Sequence, residues 1–229
     1  MKEKRVFYCE LAYILGIIVL AIGTAFMEKA DFGLSMIVAP AYILHLKVSE
    51  YLPFFTFGVA EYVFQALLLV ILAVIMRGFK KSYLFSFVTA IIYGTVLDLV
   101  IQVVRLIPLE GFGWQCGYFV VGLIICTTGV ALLLNAHFPP EAYELIVKEI
   151  SAKKGIPLGK VKTAYDFFSC GLGILLSLLF FGSFVGVKWG TIVSTVFNGL
   201  LISTINRFLN NRFVFKVACF SKDEAPGAE

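Results

Sequence analysis

Apolar residues fall in long blocks along this chain, with polar and charged residues collected in the gaps between them. Six blocks qualify as helical spans: residues 10–27, 54–76, 83–104, 116–134, 165–184 and 189–209. Each holds 18 to 23 residues, enough at about 1.5 Å per residue to cross a hydrocarbon core of about 30 Å. Lipid offers no partner to a free backbone N–H or C=O, so the blocks are expected as helices rather than open strands. The first block follows Lys2, Lys4 and Arg5, as a signal peptide would. Its apolar stretch is longer than a signal core and no convincing cleavage site follows, which predicts an uncleaved anchor.

Two shorter segments interrupt the series. After the first span comes DFGLSMIVAPAYILHLK, whose apolar part, residues 32–46, is only 15 residues long and contains Pro40. That is too short to cross a bilayer and fits a re-entrant or interfacial element. After the fourth span comes HFPPEAYELIVKEISAKKG. Pro140 suits the first turn of a helix, Glu141 and Glu144 its positive end, Lys153 and Lys154 its negative end, and Gly155 the C-cap. Glu144–Lys148 and Glu149–Lys153 form (i, i+4) pairs on a wet face, while Ala142, Leu145, Ile146 and Ile150 make an apolar stripe. Such a helix lies on headgroups, forms a gate, or returns into the membrane as a re-entrant hairpin.

The basic residues orient the spans. Lys2, Lys4, Arg5, Arg77, Lys80, Lys81, Lys148, Lys153, Lys154, Lys160, Lys162, Arg207, Arg212, Lys216 and Lys222 fall on one side, and Lys29, Lys47, Arg105 and Lys188 on the other. Fifteen against four predicts six spans with both termini cytoplasmic, since Lys and Arg near span ends stay inside. The expected location is the bacterial cytoplasmic membrane.

One phrase occurs twice. GTAFMEKADF (23–32) and GVALLLNAHF (129–138) share glycine, alanine, alanine and phenylalanine in register, 106 residues apart. Gly94 precedes Gly199 by 105 residues, and Phe57–Gly58 has a weaker echo in Leu158–Gly159. Apolar helices can converge on Gly and Ala without common origin. The alternative is duplication of a three-span unit, and three is odd, so the second copy enters the membrane upside down. The fold class expected is therefore an all-α polytopic membrane protein of six transmembrane helices in two inverted three-helix repeats. Each repeat has a short re-entrant or interfacial segment after its first helix. The repeats cover residues 8–107 and 112–210, and 211–229 form a cytoplasmic tail ending in the polar, disorder-prone SKDEAPGAE. Inverted repeats are typical of secondary transporters, which bind their solute at the repeat interface.

Composition agrees: 60% of residues are hydrophobic and 15% charged, against about 25% charged in soluble domains. The net charge of +4 is dispersed between spans and gives no nucleic-acid surface.

KADFGLS (29–35), GKVKTAYD (159–166) and WGTIVSTVFNGLLI (189–202) carry a family resemblance over about residues 10–208. The chain resembles the YczE/YyaS/YitT-like group of small bacterial integral membrane proteins. Members often continue the first motif with a proline, an aromatic residue and an acid; here Met36, Ile37 and Val38 stand there, and Pro139, Pro140 and Glu141 keep a trace in the second half. The resemblance implies fold and location and supplies no substrate.

Acids inside a span cost about 2.5–3.5 kcal/mol at mid-bilayer and need a reason. Glu10 lies near a span edge and can reach water. Glu61 and Gln65 share one helix face by their spacing of four, and so do Asp98 and Gln102. The two faces either share a proton, bind a cation or line one polar cavity, or they knit two spans by hydrogen bonds. Asp166 begins the fifth span, where water can reach it. Thr191, Thr195 and Asn198 form a polar stripe on the sixth span, able to bind a ligand or to pack helices. Asp31 and His137 occupy equivalent repeat positions at the two mouths; both titrate, in a proton-coupled cycle or as hydrated helix ends.

Five scattered cysteines form no CxxC, and the chain lacks a Gly-rich phosphate loop, HExxH and GxSxG. The expectation is a non-enzyme with no cofactor and no metal. It sits in the lipid bilayer and moves a small solute, as a homo-oligomer or beside an energising partner subunit. The alternative is a non-transporting subunit, substrate-binding component or sensor of a larger complex.

Overall fold

Every long apolar block becomes a helix in the computed structural model, which describes residues 5–108, 111–136, 138–156 and 158–217. The order is β1 (Arg5–Tyr8), α1 (Cys9–Ala30), α2 (Ala39–Ser49), α3 (Phe57–Met76) and α4 (Lys81–Arg105). It continues with α5 (Phe112–Asn135), α6 (Ala142–Lys154), α7 (Leu158–Phe181), α8 (Trp189–Arg212) and β2 (Phe213–Lys216). Six of these helices, all but α2 and α6, are long and apolar enough to cross a membrane. The sequence long–short–long–long thus occurs twice.

Helix ends follow local chemistry. Thr56 caps α3 by accepting the Val59 N–H at 3.2 Å, and Gly155 ends α6 at φ 63°, a left-handed cap that costs glycine nothing. Asp31 ends α1 in the same left-handed region. The largest revision is at α7, which begins at residue 158 instead of 165. Lys160 and Lys162 break the apolar run and hid the first two turns or so. A second is at the termini: β1 and β2 pair in parallel, Arg5 opposite Phe213, with Phe7 edge-on to Phe213 and Phe215. Both strands therefore lie at one end of the bundle. The part of the tail beyond residue 217 lies outside the described residues.

α1 and α5 form the centre, antiparallel and in close contact. Glycines permit the approach. A Cβ on Gly16 would meet Leu133, and one on Gly122 would meet Met27. A Cβ on Gly23 would strike the Cys126 backbone, and one on Gly129 would come within 2.5 Å of the Leu20 nitrogen. Around this pair α4 packs on α1 and α8 on α5, while α2 packs on α3 and α7 and α6 packs on α7 and α3.

The two short helices each cover half a long one. At the end of α6 nearer Arg77, Lys153 Nζ donates to the Ile75 carbonyl at 2.7 Å; at its other end the Ala142 N–H donates to Gln65 Oε1 at 3.1 Å. α6 thus runs beside the second half of α3. α2 does the same on α7: Ala39 and Ile43 lie at Gly173, and Lys47 sits over the Phe181 ring. The loops leading into these helices dip into the bundle and are held there by the other half. Gly190 N–H donates to the Phe32 carbonyl at 2.9 Å, and Asn198 Nδ2 to Ser35 Oγ at 3.4 Å. Ser86 Oγ donates to the Pro140 carbonyl at 2.5 Å and Thr89 Oγ1 to that of Pro139 at 3.4 Å. The N-caps Val38 and Glu141 therefore sit deep between the long helices.

Candidate functional site

A cavity of about 380 Å³ opens between the two deep N-caps, in the half of the bundle nearer Arg77. Its walls are largely apolar, from Leu20 on α1, Tyr93 on α4, Val130 and Leu133 on α5 and Ile202 on α8. α7 and α8 flank it, contributing Lys162 and Asp166 on one side and Thr195, Asn198 and Gly199 on the other. The loop into α2 supplies Ser35 through Val38, and α6 supplies Glu141, Tyr143 and Glu144. A volume of this order suits a small organic solute.

The polar groups form two networks. In the first, Lys162 Nζ lies 2.7 Å from Glu144 Oε1 and 3.6 Å from Asp166 Oδ1. The second distance makes an ion pair and is too long for a hydrogen bond, so Asp166 Oδ1 has no donor. In the second, the Tyr143 hydroxyl donates to Glu61 Oε2 at 2.8 Å and Gln65 Nε2 to the same oxygen at 3.3 Å. The Gln65 amide is oriented by the Ala142 N–H, which requires an oxygen opposite it. Glu141 stands between the networks. Only 8% of it is exposed, and its Oε1 has no donor within the protein. Burial pushes its carboxyl up to about 8, with the charges of Glu61 and Glu144 adding to that effect and Gln65 and Lys162 opposing it.

Three of the residues singled out in the sequence, Asp166, Thr195 and Asn198, line this cavity. Thr195 Oγ1 donates to the Thr191 carbonyl at 2.8 Å, and Asn198 Oδ1 has no donor. Asp166 lies inside α7 rather than at its edge, one turn from Lys162. Glu61 and Gln65 sit one layer behind, both fully buried.

The pairing of Glu61 and Gln65 with Asp98 and Gln102 does not form. Asp98 instead accepts from Thr56 Oγ1 at 2.5 Å and from the Gly58 N–H at 2.8 Å, closing the start of α3 onto α4. Gln102 is exposed. Asp31 lies outside the cavity, ion-paired with Lys188 at 2.7 Å, and His137 lies outside the described residues. The residues missed were Glu141, Tyr143, Glu144 and Lys162. Helix-end chemistry and (i, i+4) spacing accounted for both acids locally. In the structure Glu144 pairs with Lys162 rather than Lys148, and Glu149 pairs with Lys80 at 2.5 Å rather than with Lys153.

Residues 7–207 match a family of unknown function, DUF6198. The chain belongs to DUF6198. The match takes in all eight helices of this DUF6198 member apart from the end of α8, and so includes every residue of the cavity. No curated protein and no solved structure is significantly similar to the chain.

Proposed function

We propose that this protein is a secondary transporter or facilitator of a small solute in the bacterial cytoplasmic membrane, built from two inverted repeats that rock about the α1–α5 pair. Support for the repeats comes from the central contacts. A shift of 106 residues turns Gly16 against Leu133 into Gly122 against Met27, and Gly23 against Cys126 into Gly129 against Leu20. A two-fold axis through the α1–α5 crossing would generate that exchange. The same operation relates α4 on α1 to α8 on α5, and α6 on α3 to α2 on α7. It makes α2 and α6 re-entrant helices entering from opposite faces. The likeness to the YczE/YyaS/YitT-like group agrees with this fold.

The observation that carries transport is the place where the correspondence breaks. α3 packs closely on α4, and a Cβ on Gly94 would come within 2.5 Å of the Gly58 carbonyl oxygen. The corresponding pair, α7 and α8, makes no comparable contact among the described residues, and Gly199, the counterpart of Gly94, has open space around it. One seam is shut and its equivalent stands apart around the cavity. Alternating access needs two such states of one architecture, exchanged between the repeats. With the Arg77 face cytoplasmic, the seam that stands apart faces inward.

The test is a thermal-shift screen of metabolites on detergent-solubilised protein, followed by uptake of each stabilising compound into liposomes holding this protein alone. Uptake driven by a pH or sodium gradient supports the reading; compounds that bind tightly and never cross overturn it. The second reading, a subunit of a larger complex, is favoured by α7 and α8, which present large apolar faces such as Phe168, Leu179, Ile192 and Leu200 to the outside. Stable co-purification with an ATPase would select it.

A further inference from the structure

The inventory of unsatisfied groups around the cavity is one-sided. Glu141 Oε1, Asp166 Oδ1 and Asn198 Oδ1 are buried acceptors without a donor, and all three residues line the same space. The one cationic side chain among the donors is already engaged. Lys162 is held by Glu144 and Asp166. The two helix N-termini that reach the cavity would ordinarily favour an anion. At α2, however, the Val38 and Ala39 N–H groups both donate to the Ser35 carbonyl, and Pro40 has none. At α6 the Ala142 N–H goes to Gln65, the Glu144 and Leu145 N–H groups go to the Glu141 carbonyl, and the N-cap is itself an acid. An anion entering here would face the unpaired oxygens of Asp166 and Asn198, with the Glu141 O–H as the one side-chain donor among the three, whereas a ligand that brings donors can pair with all three once Glu141 gives up its proton.

We infer that the cavity binds a primary or secondary organic ammonium with an apolar body, and that the ammonium displaces a proton from Glu141. The inference rests on the transport reading only for its biological meaning; binding is tested separately. An R–NH₃⁺ group carries three donors, and the apolar body has Leu20, Val130, Leu133 and Ile202 to lie against. The groups facing Glu141 are Glu61 from α3, Tyr93 from α4, Tyr13 from α1, Cys126 from α5, Lys162 from α7, and Tyr143 and Glu144 on its own helix. Lys162 is the one cation among them, and it is already shared between two carboxylates. Glu141 therefore holds a proton at neutral pH. On binding, its O–H bond breaks, the proton leaves to water, and the carboxylate pairs with the incoming cation. One positive charge enters the site as another leaves, so the buried charge is unchanged. The acid is present in one repeat only, because its N-cap counterpart in the other is Val38. The cavity thus has a single exchanging carboxyl.

The experiment is calorimetric titration of the full-length protein in lipid nanodiscs with phenethylammonium, phenylacetate and phenethyl alcohol. Each is run in two buffers of different ionisation enthalpy, so that proton release is counted. Expected is binding of phenethylammonium in preference to the other two, with release of close to one proton below pH about 8. Glu141→Gln, which keeps the size of the side chain, should weaken binding roughly tenfold or more and abolish proton release. Asp166→Asn should weaken binding while leaving proton release intact. Preference for phenylacetate, binding of none of the three, or phenethylammonium binding with equal proton release in wild type and Glu141→Gln would each overturn the inference. Binding with proton release but no flux in liposomes would remove the transport reading and leave this one standing. Gradient-driven uptake of an anion would do the reverse.

Discussion

The Tyr143 hydroxyl and the Glu61 carboxylate meet at 2.8 Å, joining α6 of the second half to α3 of the first. Both side chains are buried, so neither exchanges this bond for one to water. Tyr143→Phe removes the donor and keeps the ring, and should lower stability by about 1–2 kcal/mol. Glu61→Gln keeps an acceptor for Tyr143 and should cost less than Glu61→Leu, which leaves the Tyr143 hydroxyl and Gln65 Nε2 without their acceptor. Thermal midpoints in detergent give the order; a Tyr143→Phe protein as stable as wild type would remove this contact from the account.

Gly58 and Gly94 hold the shut seam, and Gly199 stands in the open one. A Cβ on Gly58 would meet the Gly94 carbonyl oxygen and Asp98 Oδ2 together, so Gly58→Ala must push α3 from α4, at about 1–3 kcal/mol. A Cβ on Gly199 meets nothing within 4 Å, so Gly199→Leu should leave the thermal midpoint close to wild type. If α7 and α8 close on each other during the cycle, the same Leu obstructs them, and flux falls although stability does not. Equal flux in Gly199→Leu and wild type would argue against closure of that seam.

How far the sequence could be read depended on the range of each interaction. Apolar runs are local, and they located all six long helices. The spacing behind the proposed repeat is legible at Gly23 and Gly129, and the same spacing relates Gly16 to Gly122, a further pair that could have been found. The cavity was harder. Lys162 interrupts the hydropathy of its own helix and reads as an edge until Glu144, from another helix, is seen to neutralise it. Glu61 and Gln65 were legible as one face, yet nothing local said that the face meets the end of α6 rather than Asp98. Glu141 looked like routine helix-end chemistry because its burial comes from helices distant in the chain.

The Glu141 carboxyl sets a pH dependence of stability. Its ordinary value of 4.5 is pushed up to about 8 in the folded protein by burial. Below the unfolded value both states carry the proton and there is no cost. As pH rises from 4.5 towards about 8 the unfolded chain ionises first, the folded state binds more protons, and stability falls. Above that window the loss is complete and level. The thermal midpoint of the wild type should therefore decline across this range, and the decline should be markedly smaller in Glu141→Gln. Parallel pH profiles for the two proteins would show that the proton resides elsewhere.

Labelling tests the arrangement on which the transport proposal depends. Inverted repeats require α2 and α6 to enter from opposite faces, because each follows the first helix of its own half and those two helices, α1 and α5, are antiparallel. Tyr51, just beyond α2, and Lys154, the last residue of α6, are both exposed. Single cysteines at these positions, with all five native cysteines replaced, can be probed by a membrane-impermeant maleimide on intact cells and on inverted vesicles. With the proposed orientation, in which the charge bias puts Arg77, Lys80 and Lys153 on the cytoplasmic side, Tyr51→Cys should react on intact cells and Lys154→Cys on inverted vesicles. Reaction of both from one side would place the short helices on the same face. The exchange of Gly16–Leu133 for Gly122–Met27 would then be coincidence, and the shut and open seams would no longer be two states of one device.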